Sequence, residues 1–238
     1  MQCRLCLKNR KLCNSHIVPE FLYGDLYNDD HKMMGINGRG NRGWKPLQIG
    51  SREHLLCSDC ERHLNDKYEK LFHKQWLVDL PLPDRIPENA PHTVVYDYLT
   101  FKLFHLSILF RASVSSLPTF REVNLGVVHE ERIRKMLISE SPGQDWEYPI
   151  HAFAVLNGHG KVEKRLISCP ISARYEGHIT YGQIYGGAMW WILASSHRND
   201  PFCRAGLQPS GEMTMIAVPW NEIGVMQDAS TALKRKHL

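Results

Sequence analysis

Two Cys-x-x-Cys pairs, Cys3-Arg4-Leu5-Cys6 and Cys57-Ser58-Asp59-Cys60, stand with residues 7 to 56 between them. Two intervening residues let both thiolates of a pair reach one ion, and two such knuckles supply the four sulfurs of a closed tetrahedral site, the preference of structural zinc. Cys3, Cys6, Cys57 and Cys60 are therefore the expected metal ligands, and Cys13, Cys169 and Cys203 the expected free thiols. Between the pairs runs Cys13-Asn14-Ser15-His16-Ile17-Val18-Pro19-Glu20-Phe21-Leu22-Tyr23. A four-sulfur site has no use for His16, so this imidazole is either a packed structural residue or a group with separate chemistry, such as a general base.

The second pair opens a helix in which Leu64, Tyr68, Leu71 and Phe72 recur at helical spacing. At 100° per residue Glu61 falls inside that apolar stripe, between Tyr68 and Phe72, with Asn65 at its border. Glu61 is then either a first-turn carboxylate favoured by the helix dipole or a metal-facing one. A knuckle, a hairpin-sized middle and a knuckle opening a helix describe a treble-clef arrangement. Between the knuckles, residues 33 to 53 combine five glycines with Arg39, Arg42, Lys45 and Arg52. Mobile bases on a Gly-rich backbone suit contact with phosphate, although a solvated basic loop has the same composition.

The motifs Cys-Arg-Leu-Cys, Ser15-His16-Ile17-Val18-Pro19 and His54-Leu55-Leu56-Cys57-Ser58-Asp59-Cys60-Glu61 together resemble the HNH endonucleases, over about the first 75 residues. The resemblance implies a ββα-metal unit on a zinc treble clef, with His16 as the base that activates water against a phosphodiester. It also implies a catalytic divalent ion, Mg or Mn, for which Glu61 with Asn65 or His63 are the candidate ligands. This sequence departs from the family's usual pattern. Ser15 stands where an acid or histidine usually precedes the base, Arg52-Glu53-His54 where an asparagine is common, and Glu61 where a histidine often follows the last cysteine. Stand-alone relatives of such enzymes are often effectors of bacterial conflict, in phage defence or as toxins. The resemblance implies nucleic acid as the partner, with DNA favoured over RNA. The competing reading is a non-catalytic zinc module that binds nucleic acid or a protein.

The rest of the chain must position these groups. The sequence predicts an α+β protein in three segments: a zinc-binding unit over 1–80, a proline linker and helical segment over 81–145, and a β-rich part over 146–238. Pro81, Pro83, Pro87 and Pro91 mark the linker, and helical signals run from Thr93 to about Glu140. The stretch from Thr93 to Ser116 is apolar nearly all round, so it predicts a buried helix with His105 and Arg111 as a hydrogen-bonded core pair. Residues 150 to 168 read as two strands joined at Asn157-Gly158, with further strands over 178–196 and 212–220. The β-rich part is a candidate surface for a protein partner or a second copy.

A net charge of +4 permits nucleic-acid contact without demanding it. The N-terminus, Met1-Gln2-Cys3-Arg4, has no apolar segment behind its charge, and the seven cysteines suit metal binding better than a disulfide framework. Both predict a cytoplasmic protein with no membrane partner. No phosphate-binding loop, nucleophile elbow or dinucleotide fingerprint is present.

Overall fold

The computed structural model describes residues 1–30, 33–35, 45–47, 50–88, 90–198, 203–204 and 206–223. The first knuckle closes on its own backbone. Cys3 N–H donates to the Lys8 carbonyl at 3.0 Å and Leu7 N–H to the Cys3 carbonyl at 2.9 Å, with Leu7 in the left-handed region at φ 59°. The chain leaves it as strand β1 (Leu12–His16), which pairs antiparallel with β4 (Arg52–Cys57). Between them, β2 (Met33–Gly35) and β3 (Lys45–Leu47) form a second antiparallel pair.

Cys57 ends β4 and helix α1 (Ser58–Leu64) starts at once. The helix continues through a π-type turn (Asn65–Glu69), α2 (Lys70–Phe72) and a second π-type turn (His73–Asp79). Leu64, Tyr68, Phe72 and Trp76, four residues apart, are all buried. In a regular helix that spacing drifts by about 40° per step. The wider π turns take up the drift and hold the row on one face. Leu71, expected in the stripe, is instead 43% exposed, because widening turns it away from the row.

Helix α3 (Tyr98–Val114) starts where the Asp97 carboxylate accepts from Thr100 N–H at 2.8 Å. Every residue from Thr100 to Ala112 is buried, as a helix that is apolar all round requires. On one side lies the α1–α2 row, with Phe72 stacked on Phe104 at 3.7 Å between centroids. On another lies α4 (Gly126–Ile138), and below it a six-stranded sheet. The sheet comprises β5 (Pro91–Val95), β6 (Ile150–Leu156), β7 (Ile171–Tyr175), β8 (His178–Tyr185), β9 (Ala188–Leu193) and β10 (Glu212–Pro219), in the order β5-β10-β6-β9-β8-β7. The β6–β10 pair is parallel and all other neighbours are antiparallel.

Ala152, Ala154, Ala188 and Ala217 belong to the core beneath α3, where their small side chains leave room for Phe101, Phe104, Trp76 and Trp190. Alternate residues Val155, Ile184 and Met189 form a second apolar cluster, as the two-residue period of a strand dictates. The main core draws on the N-terminal cysteine-pair unit, the helices and the sheet together.

The α+β class is as expected, and three local expectations need correction. The segment from Thr93 opens as strand β5, with the helix beginning only at Tyr98. Residues 161 to 168 form no partner strand for β6 beyond a single bridge from Leu156 to Val162. Both edges of β6 are already taken, by β10 and β9, so a sequence-local mate has nowhere to pair. The two-residue hairpin lies instead between β8 and β9, where Gly186 and Gly187 have φ of 60° and 85°. His105 and Arg111 are both buried but do not pair with each other: His105 meets the Tyr185 hydroxyl at 2.6 Å, and Arg111 turns toward the metal-binding unit.

Candidate functional site

The two knuckles bring Cys3, Cys6, Cys57 and Cys60 together, with all four sulfurs within 4.8 Å of one another. Four cysteines this close can bind a structural metal ion such as zinc. The knuckle backbone supports that chemistry, since Cys57 N–H donates to Cys3 Sγ at 3.3 Å. Burial pushes the Cys3 and Cys60 thiols up. At Cys57 burial is outweighed by hydrogen bonds from the Cys60 backbone and the neighbouring thiols, which bring it down to about 7. Four adjacent sulfurs cannot all ionise without a cation, and a bound cation would release the remaining protons. Helix α4 clasps the first knuckle: Arg134 donates to the Leu5 carbonyl at 2.8 Å while paired with Glu131. Cys13, Cys169 and Cys203 stand apart from the cluster.

His16 is the last residue of β1 and lies opposite Arg52 across the strand pair. The strand ends there, with Ile17 and Val18 both buried and Pro19 opening a 3₁₀ turn over Glu20–Leu26. The imidazole Nε2 contacts the Glu20 carboxylate, four residues on. Glu20 in turn accepts from the Tyr27 hydroxyl at 2.8 Å and lies 3.5 Å from the Arg52 guanidinium. Burial lowers the His16 pKa, helped by the charges of Arg52 and Arg111, while Glu20 pulls the other way. The ring is therefore neutral at neutral pH, the state a proton acceptor needs.

The expected ligands around His16 separate. Glu61 keeps a buried Oε1 with no hydrogen-bond partner. Its charge acts on Glu69, whose pKa burial raises and the Arg111 guanidinium lowers in part. Arg111, 1% exposed, pairs with Glu69 at 2.9 Å and donates to the His16 carbonyl at 2.9 Å. Arg111 thus links Glu69 to the His16 strand end, while the imidazole itself turns to Glu20.

His63 and Asn65 do not join this corner. His63 Nε2 meets the Leu137 carbonyl at 2.8 Å, and Asn65 is exposed beside Asp66. Ser15 is also committed, since its buried hydroxyl accepts from Leu56 N–H at 3.2 Å. Among the expected donors, only Glu61 keeps a buried oxygen without a hydrogen-bond partner.

Sequence reasoning missed Glu20, Glu69 and the reach of Arg111. Glu20 had a signal in Pro19, which favours a helical first turn and so brings residue 20 back over residue 16. Of the basic segment, Arg52 is in place beside His16, Lys45 lies on β3, and Arg39 and Arg42 fall outside the described residues. Among the described residues no helix is long and apolar enough to cross a membrane. In comparisons with known proteins, the chain matches no family model, no curated protein and no solved structure.

Proposed function

We propose that this protein is an HNH-like endonuclease that hydrolyses phosphodiester bonds in nucleic acid, DNA rather than RNA, on a unit stapled by zinc. One observation supports the reading: the strand from the first knuckle ends in a neutral, partly exposed histidine that lies opposite Arg52. His16 takes the proton from the attacking water. Arg52, across the strand pair, and the bases Arg39, Arg42 and Lys45 hold the phosphate backbone. Glu61 would hold Mg or Mn, which supplies positive charge where negative charge develops.

A second reading, a zinc module that binds nucleic acid or a protein without cleaving, is favoured by the commitment of His63 and Asn65 elsewhere. The two separate in one experiment, using plasmid and single-stranded substrates with Mg or Mn. The nuclease reading expects cleavage by the parent, lost about 100- to 10,000-fold in His16→Ala with zinc content unchanged. A parent inactive on DNA and RNA with either ion leaves the binding module.

A further inference from the structure

The geometry points to Glu20 as the residue that positions His16: its carboxylate fixes the ring proton on Nε2 and leaves Nδ1 to accept a proton from water. This rests on the reading of His16 as general base. Pro19 starts the 3₁₀ turn that folds Glu20 back onto the ring. Glu20 is itself held on two sides, by the Tyr27 hydroxyl and by Arg52. Burial raises the Glu20 pKa, but Tyr27, His16 and Arg52 outweigh it, so the carboxylate is ionised at neutral pH.

An ionised carboxylate against Nε2 attracts an N–H and repels a bare lone pair. In a neutral imidazole only one nitrogen carries the proton, so the lone pair falls to Nδ1. Nε2 is buried against the Glu20 carboxylate in a close contact outside ordinary hydrogen-bond geometry, while the side chain remains 22% exposed through its other atoms. The charged groups acting on the ring are Glu20 from the turn, Arg52 from β4 and Arg111 from α3. Burial, helped by the two arginines, keeps the ring neutral, and Glu20 sets its tautomer. A carboxylate in this place gives the four-residue step from His16 to Glu20 a role that packing alone does not.

The test is imidazole ¹⁵N NMR on the full-length protein at neutral pH, with the His16 signals assigned by their loss in His16→Gln. The expected result is an Nε2–H tautomer in the parent and a tautomer mixture in Glu20→Gln. In plasmid cleavage Glu20→Gln should lower kcat about 10- to 100-fold, by analogy with the loss of a ligand's outer hydrogen-bond partner. KM should be unchanged, and the acidic limb of the pH–rate profile should shift to lower pH because the group that raises the His16 pKa is gone. An Nδ1–H tautomer in the parent, or a Glu20→Gln variant with the parent's tautomer and kcat, overturns the assignment. An inactive parent that shows the Nε2–H tautomer removes the nuclease reading and leaves the role of Glu20 standing.

Discussion

Lys102 lies in the second turn of α3 with only neutral hydrogen-bond partners, its ammonium donating to the Tyr98 hydroxyl at 2.9 Å and to the Gln144 carbonyl. Burial brings its pKa down to about 8, against the pull of Glu147 and Asp145. Below that pH the folded and unfolded chains both hold the proton, and the folded state bears the full penalty. Between about 8 and the ordinary lysine value the folded chain releases the proton first, so stability rises with pH. Relative to Lys102→Met, the parent should gain about 2 to 3 kcal/mol between pH 7 and pH 10.5 in urea unfolding. Parallel curves would show that the ammonium is accommodated in the fold. At the cysteine cluster, Cys57→Ser should leave freshly purified, reduced protein without its bound zinc and with an unfolded N-terminal unit, since structural zinc contributes on the order of 10 kcal/mol to folding. Elemental analysis reads this directly, and a parent lacking zinc would refute it.

At the scale of elements, α3 holds the unit that carries the cysteine cluster through Arg111. Its guanidinium joins the Glu69 carboxylate of the α1–α2 helix, the His16 carbonyl at the end of β1 and the Ser107 hydroxyl of α3 itself. Removing one partner of a buried ion pair leaves the other uncompensated. Arg111→Met should therefore destabilise the protein by about 3 to 5 kcal/mol, and Arg111→Met combined with Glu69→Leu by less than Arg111→Met alone. A double variant no more stable than the single one would place the main role of Arg111 at the His16 carbonyl. A second tie is Trp76, whose indole N–H donates to the Gly186 carbonyl at 2.8 Å in the β8–β9 turn. A Cβ on Gly186 would lie 2.9 Å from that indole nitrogen, so the turn is glycine both for its positive φ and for this contact.

At the scale of the molecule, what could be read from the sequence follows the distance over which each feature is decided. The four cysteines were legible because a knuckle is a local geometry, and α3 because a long, mostly apolar run admits few other structures, although its start after Asp97 was not. His16 was legible from its motif. Glu20 was half legible, since it depends on how the chain turns after Pro19. Arg111 was visible as a polar insertion in an apolar helix, but its partners were not. Packing, not spacing, brings it to a carbonyl 95 residues away. The failure at residues 161 to 168 has the same origin. Alternation proposes a strand, but edge availability decides whether it pairs, and the edge of β6 goes to a strand more than fifty residues later.

That late strand sets the order in which a ribosome can deliver a finished protein. β10 sits between β5 and β6, both of which emerge well before it. Until residues 212–219 are made, these two strands present unpaired hydrogen-bonding edges and α3 lies on an incomplete floor. The knuckles, β1, β4 and α1 are complete by residue 64 and can bring their four sulfurs together early in translation, while the His16 corner waits for Arg111. The nascent chain thus passes through a stage with its cysteine cluster formed and its sheet open. At that stage unpaired edges favour aggregation or capture by a chaperone.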